Sequence, residues 1–202
     1  MKGFDHFNFL SPIYDLVFGR GQDLRIVDLA DVNENHRLLD VGGGTGRVSV
    51  LFRKIVNSPV VADSSLKMLR KAQEKGLQSV NSHSEYLPYP NGSFDRVILV
   101  DAFHHVKEQQ KTLNEMFRIL KNGGKMIIEE PDIRNFLVKL VAIGEKILLM
   151  RSHFLAPEKI AAMCRYDGES NQKIYIEKGI ARIVVIKIGK EVKGTYGSNS
   201  SQ

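Results

Sequence analysis

An apolar strand that runs directly into four glycines within five positions leaves a chain few folds to choose from. Leu38-Leu39-Asp40-Val41 is followed at once by Gly42-Gly43-Gly44-Thr45-Gly46-Arg47, and then by residues with helical spacing of apolar side chains. Without Cβ atoms the backbone can turn tightly and approach a ligand closely. The N–H groups that open the following helix then face that ligand. Open α/β sheets bind their ligands at such strand ends. A tight turn also takes glycine for its own sake, so the pattern has to be read with its neighbours.

Those neighbours alternate between short β-type and longer helical segments. Strands are expected at residues 37–41, 59–63, 79–82, 96–101, 125–130, 173–177 and 182–188, and helices at 46–56, 65–75, 108–120, 134–150 and 157–165. Ser64 or Ser65 is the expected cap of the second helix. The alternation predicts an α/β fold, a Rossmann-like seven-stranded mostly parallel sheet with helices on both faces. Glu177-Lys178-Gly179-Ile180 is short enough to close the last two strands as an antiparallel C-terminal hairpin. At 202 residues the chain fits one domain, expected over 1–190, with residues 191–202 as a flexible Gly/Ser/Asn-rich tail.

Two acids flank the glycine turn. Asp63 ends the next expected strand, 17 positions after Gly46, where nucleotide-binding α/β folds set a carboxylate on the ribose hydroxyls. It could equally cap the helix that follows, and the two roles are compatible. The dinucleotide fingerprint G-x-G-x-x-G fails, because Arg47 stands three positions after Gly44. Asp40 would repel a diphosphate and attract the cationic amino group of S-adenosylmethionine (SAM), although a strand-end aspartate can also serve only its neighbours' amides.

Composition closes off several other classes. The single cysteine, Cys164, excludes an intramolecular disulfide framework and any cluster of thiolates. Net charge is +6, but Lys and Arg are dispersed among acids, so no nucleic-acid partner is expected. The segment 136–150 is apolar yet carries Lys139, Glu145 and Lys146, and it is shorter than the ~20 residues a membrane span needs. The start, Met1-Lys2-Gly3-Phe4-Asp5, lacks the apolar stretch of a secretory signal, which points to a cytoplasmic location.

Taken together the chain resembles the class I SAM-dependent methyltransferases, and within them the ubiquinone/menaquinone C-methyltransferase-like group. Ser84-Glu85-Tyr86-Leu87-Pro88-Tyr89-Pro90-Asn91-Gly92-Ser93-Phe94-Asp95 is similar to that group's A-E-x-L-P-F-P-D-x-S-F-D run. Arg118-Ile119-Leu120-Lys121-Asn122-Gly123-Gly124-Lys125 is similar to its R-V-L-K-P-G-G turn into strand five. Phe7-Asn8-Phe9-Leu10-Ser11-Pro12-Ile13-Tyr14-Asp15 is similar to its amino-terminal helix entry. One departure stands out: the group carries an acid before A-E to accept from the adenine amino group, and here that position is His83. A neutral imidazole accepts through one nitrogen only.

The resemblance implies SAM as cofactor, held by Asp40, Gly42, Gly43, Gly44, Gly46, Asp63, Ser64, His83, Ser84, Asp101 and the lid residue Tyr14. It implies an amino-terminal lid over 1–30, with Phe4 and Phe7 helping Tyr14 to keep the sulfonium dry, and an acceptor cap over 133–165. His105 and His104, directly after strand four, are the candidate bases for the proton that an oxygen or ring-carbon acceptor must lose. One of them could instead anchor its loop while the other is solvated. The apolar 136–148 stretch suits a small aromatic or lipid-like acceptor, with quinol C-methylation the nearest relative and a peripheral membrane contact as its means of access. It could also be an ordinary helix covering the sheet. Three rival readings stand beside this one: a SAM-binding regulatory module without turnover, a nicotinamide-dependent oxidoreductase, which Arg47 and Asp40 disfavour, and RNA methylation, for which the sequence lacks an extra basic domain and an N-P-P-Y type tetrad.

Overall fold

The computed structural model describes residues 24–135, 138–139, 153–166 and 169–189. Phe4, Phe7 and Tyr14, most of residues 134–150, for which a helix is expected, and residues 191–202 lie outside them. Among the described residues the elements run in chain order α1 (Arg25–Ala30), β1 (Leu38–Val41), α2 (Ser49–Phe52), β2 (Val60–Asp63), α3 (Leu66–Glu74), β3 (Gln78–Asn81), β4 (Phe94–Val100), a 3-10 turn (Phe103–His105), α4 (Gln109–Ile119), β5 (Leu120–Pro131), α5 (Pro157–Met163), β6 (Ser170–Glu177) and β7 (Ile180–Lys187).

The strands form one seven-stranded sheet in the order β3-β2-β1-β4-β5-β7-β6. β1 pairs parallel with both β2 and β4, β4 with β5, and β2 with β3, while β7 runs antiparallel to β5 and to β6. The chain reverses its winding between β1 and β4, and a crevice opens at the carboxyl ends of those two strands. All four residues of β1 are buried. Leu39 and Val41 join a core beneath α4 and α5, whereas Leu38 joins a second core with Ile26, Phe52 and Ile98 under α1 and α2. α3 seats Leu69 and Ala72 on Val61, also on the α2 side, so both faces of the sheet carry helices. Buried on both sides, the strand reads as an unbroken apolar run with one exception, Asp40.

The terminal hairpin turns on Lys178 and Gly179, with φ of 49° and 78°. Positive φ at both central residues marks the turn whose twist matches that of antiparallel strands. β7 buries Arg182 in register with Glu129 of β5, and Nε donates to Oε2 at 2.6 Å. Removing one partner would strand a buried charge at a cost of about 3–5 kcal/mol.

Element boundaries depart most from expectation in two places. The first helix, expected over 46–56, contracts to Ser49–Phe52. Its flanks hold the β-branched Val48, Ile55 and Val56 and have no side-chain cap, so only the turn facing the sheet is regular. β5 starts earlier than expected, at Leu120, and takes in Lys121-Asn122-Gly123-Gly124 as an outward bulge. In the β4–β5 ladder Phe94 pairs with Leu120 and Arg96 with Lys125, so Asp95 alone faces four residues. Lys121 Nζ closes that bulge onto the Asp95 carboxylate at 2.8 Å. Among the described residues, no helix is long and apolar enough to cross a membrane.

Candidate active site at the carboxyl ends of β1 and β4

A cleft of about 500 Å³ opens where β1, β2, β3 and β4 end. Of the residues singled out in the sequence, it is lined by Gly42, Gly44, Asp63, Ser64, His83, Ser84, Asp101 and His105. Asp40, Gly43, Gly46 and His104 lie behind that lining.

The glycine turn forms the floor. Gly44 has φ of +53°, and its N–H donates to Asp63 Oδ2 at 3.0 Å. A Cβ there would be strained by the backbone itself. At Gly43 the constraint is space, since a Cβ would stand 2.5 Å from the Asp40 carboxyl. Gly46 faces away from the cleft and lets Leu77 approach, so its part is in packing α3 and β3 against the turn.

Asp40 therefore lies directly beneath the turn, 1% exposed. One carboxylate oxygen accepts from Ser49 Oγ at 2.7 Å. Its other oxygen, Oδ1, is buried and accepts nothing. Burial pushes this carboxyl up to about 7, against the Ser49 hydrogen bond and the Arg47 guanidinium, which lower it. An uncompensated acid of this kind beneath a turn without Cβ atoms favours a cation above it.

Asp63 braces both sides of its corner. Oδ2 accepts from Gly44, Oδ1 accepts from Ser65 N–H at 2.7 Å, and Asn81 Nδ2 donates to its carbonyl at 3.0 Å. Of the two serines weighed as cap of α3, Ser65 is the one that accepts from Met68 N–H. Each Asp63 oxygen keeps a second lone pair for a ligand hydroxyl.

The rim beyond β3 is held by contacts between distant motifs. Ser84 Oγ shares a hydrogen bond of 2.9 Å with Thr112 Oγ1 on α4. Arg118 donates to the carbonyls of Leu87 at 3.0 Å and Tyr89 at 2.7 Å and to Asn91 Oδ1 at 3.0 Å, while Glu115 accepts from Leu87 N–H. The 84–95 and 118–125 runs thus clasp one another, and that clasp holds the loop carrying His83 and Ser84. His83 itself is exposed at the rim.

The opposite wall follows β4. Asp101 has φ of +51°, and its Oδ2 accepts from Arg47 Nη2 at 3.0 Å, tying this wall to the glycine turn. Loss of water and the nearby Glu130 carboxylate raise its carboxyl above the usual range, opposed by Arg47. Glu130, at the end of β5, accepts from Phe103 N–H at 2.7 Å and meets His104 Nδ1 at 2.5 Å. His104 is 2% exposed and stacks on Phe154 at 4.2 Å between centroids. His105, its ring 4.0 Å from that of His104, is exposed and faces the cleft. The two neighbouring histidines thus point to different environments.

Several residues of the site gave no usable sign in the sequence. Ser49 lies nine positions after Asp40 and is recognisable only once α2 folds back over β1. Glu130 belongs to an ordinary strand end until β5 is set beside β4. Met68, Glu85 and Lys107 join the lining, and of these only Glu85 lay inside a motif singled out beforehand.

Comparison with known proteins bears on the fold and the family. Residues 39–128 match the model of a methyltransferase domain. The ubiquinone/menaquinone biosynthesis C-methyltransferase UbiE of Yersinia enterocolitica is 33% identical over 155 residues, covering 71% of this chain and 59% of that protein. UbiE of Methylococcus capsulatus is 35% identical over 125 residues, covering 56% of this chain and 50% of that one. The chain therefore spans less than two thirds of the length of these curated relatives. A crystal structure from Thermotoga maritima, a SAM-dependent methyltransferase described as a "possible histamine N-methyltransferase", superimposes with a TM-score of 0.73 at 23% identity, over 91% of this chain and 98% of that one. Strand order, glycine turn and sequence similarity lead to one assignment: this chain belongs to the class I SAM-dependent methyltransferases.

Proposed function

We propose that this chain binds SAM in the cleft and transfers its methyl group to a small, aromatic or lipid-like acceptor. The observation that carries the reading is Asp40: a buried carboxyl with one unsatisfied oxygen, directly under a Cβ-free turn, fits a cationic nucleoside and opposes a diphosphate. When bound, SAM supplies an electrophilic methyl on a positively charged sulfur.

The residues present fit that group. Gly42 and Gly44 offer open backbone at the floor, Asp40 acts through Gly43 on the amino-acid end, and Asp63 accepts from the ribose hydroxyls with Ser64 beside it. His83 and Ser84 form the adenine end, where the ring nitrogen of His83 takes the place of the group's usual acid. Asp101 and Arg47 close the turn against β4. Tyr14 would complete the enclosure from a segment outside the described residues.

At the far end His105 has the placement a base requires, open to the cleft on a turn fixed from behind. It would hold the proton that leaves the acceptor. His104 contributes by position: pinned between Glu130 and Phe154, it sets the turn on which His105 sits. Alignment and exclusion of water supply most of the acceleration in such displacements, within about 7–11 kcal/mol. The acceptor class rests on the apolar 136–148 sequence and on the names of the UbiE relatives, with membrane-surface contact as the matching route of access.

The test is calorimetry with SAM, S-adenosylhomocysteine and NADH, followed by assay of radiolabelled methyl transfer to quinols and lipid extracts. Heat with the first two and label in an organic-soluble product are expected. Heat with NADH alone would overturn the reading, and SAM binding without transfer to any extract fraction would favour a regulatory module.

A further inference from the structure

The outer strand of the sheet, β6, lies three positions beyond β4 and takes no part in lining the cleft. Among the described residues β6 has only β7 as a neighbour in the sheet. Every residue from Lys173 to Glu177 is exposed, and three successive ones are large and apolar: Ile174 at 38%, Tyr175 at 36% and Ile176 at 49%. An apolar edge strand with free main-chain groups is a template for pairing with another chain.

The hairpin fixes which main-chain groups face away from β7. Glu177 and Ile180 flank a two-residue turn, so they form a hydrogen-bonded pair. Alternation along the ladder makes Tyr175 with Arg182 and Lys173 with Val184 bonded pairs too. The N–H and C=O groups of Gln172, Ile174 and Ile176 then point to the open edge.

We infer that β6 pairs antiparallel with β6 of a second copy of this chain, across a two-fold axis at Tyr175. In this register Ile174 and Ile176 exchange main-chain hydrogen bonds twice, Tyr175 meets its own copy, and Lys173 lies opposite Glu177 of the other chain, also twice. Charge selects this register. A slip of two residues in either direction loses both ion pairs, and a slip of four sets Lys173 against Lys173 or Glu177 against Glu177. A lone edge lysine ordinarily guards against pairing. Here Glu177, its mirror position about Tyr175, converts the guard into a match for this one partner. Within its own chain Glu177 reaches Arg25 Nε at 3.6 Å, a contact with both side chains 52% exposed that leaves room for a second cation. The interface is isologous, as a two-fold dimer requires, and it does not depend on what the cleft binds.

Sedimentation velocity of the full chain over a range of concentrations tests this. The wild type should show a monomer–dimer equilibrium. Lys173→Glu and Glu177→Lys should each raise the dissociation constant by about tenfold, and the double exchange should restore it. Ile174→Pro removes an outward N–H without touching the β7 ladder, a place where an edge strand accepts proline, and should abolish dimer with an unchanged circular dichroism spectrum. A chain that stays monomeric at every concentration overturns the proposal, as does a dimer indifferent to the charge exchanges, which also decide the matter if the proline variant does not fold. Exchange-protected outward amides on β6 in a monomer would show that another segment covers the edge, and would equally overturn it.

Discussion

The two walls of the cleft are made in different ways. The β1–β2 wall is local: a strand, a glycine turn and an acid at the next strand end, with its key contacts carried by backbone N–H groups. The β4–β5 wall depends on contacts across the chain. Phe103 and His104 are fixed by Glu130, 26 or more residues away, and His153 N–H donates to the His104 carbonyl at 2.7 Å from further still. The first wall is a binding surface that backbone geometry alone can specify. The second is a positioning device that exists only in the folded chain. Substitutions in the first should therefore change SAM affinity, and substitutions in the second should change turnover.

The sharpest way to break that contrast is at its extremes. Gly44→Val forces a β-branched residue to φ of +53° and should lower SAM affinity on the order of a hundredfold or more by calorimetry. His105→Ala should lower turnover about a hundredfold or more while SAM affinity stays within about threefold. If both variants changed the same quantity, the division between the walls would be lost. Glu130→Gln should fall with His105→Ala, lowering kcat about tenfold or more and displacing the pH profile, because a merely structural lesion would leave the profile in place.

Asp40 gives a finer test. A cation above it favours the ionised carboxyl, so SAM affinity should rise as pH increases through about 7. Asp40→Asn should remove that dependence and cost about tenfold in affinity at pH 8. Stability of the ligand-free protein runs in the opposite sense. The folded carboxyl, raised from 3.8 to about 7, binds its proton more tightly than the unfolded one, so its contribution is full below about 4 and is lost as pH rises to about 7. Asp40→Asn should thus raise Tm at pH 8 and leave it unchanged at pH 4, and a Tm difference that ignored pH would contradict the burial argument. The smallest expected effect is at the rim, where His83→Asp should tighten SAM binding about threefold by restoring an anionic acceptor.

Much of this was legible beforehand because it is encoded over short distances. The glycine turn, the hairpin at Lys178-Gly179 and the alternation of strands and helices all follow from backbone preferences of neighbouring residues. The two runs that resemble the ubiquinone/menaquinone C-methyltransferase-like group were legible too, although not the reason for their association, which is the fork of Arg118 gripping carbonyls of the other run. What escaped was of longer range. Nothing near Asp40 announced that it would lie beneath the turn with Ser49 as its partner, and nothing near His104 and His105 told which of them would be buried.

The alternation of strands and helices, the glycine floor and the antiparallel close of the sheet were determined by the sequence itself, since φ preferences and the period of apolar residues act within a few positions. Only the tertiary structure decided the neighbours of each strand, the burial of Asp40, the separate surroundings of His104 and His105 and, among the described residues, the unpaired edge of β6. Those properties depend on how much water and which distant groups surround a side chain, and neither is defined until the layers have packed.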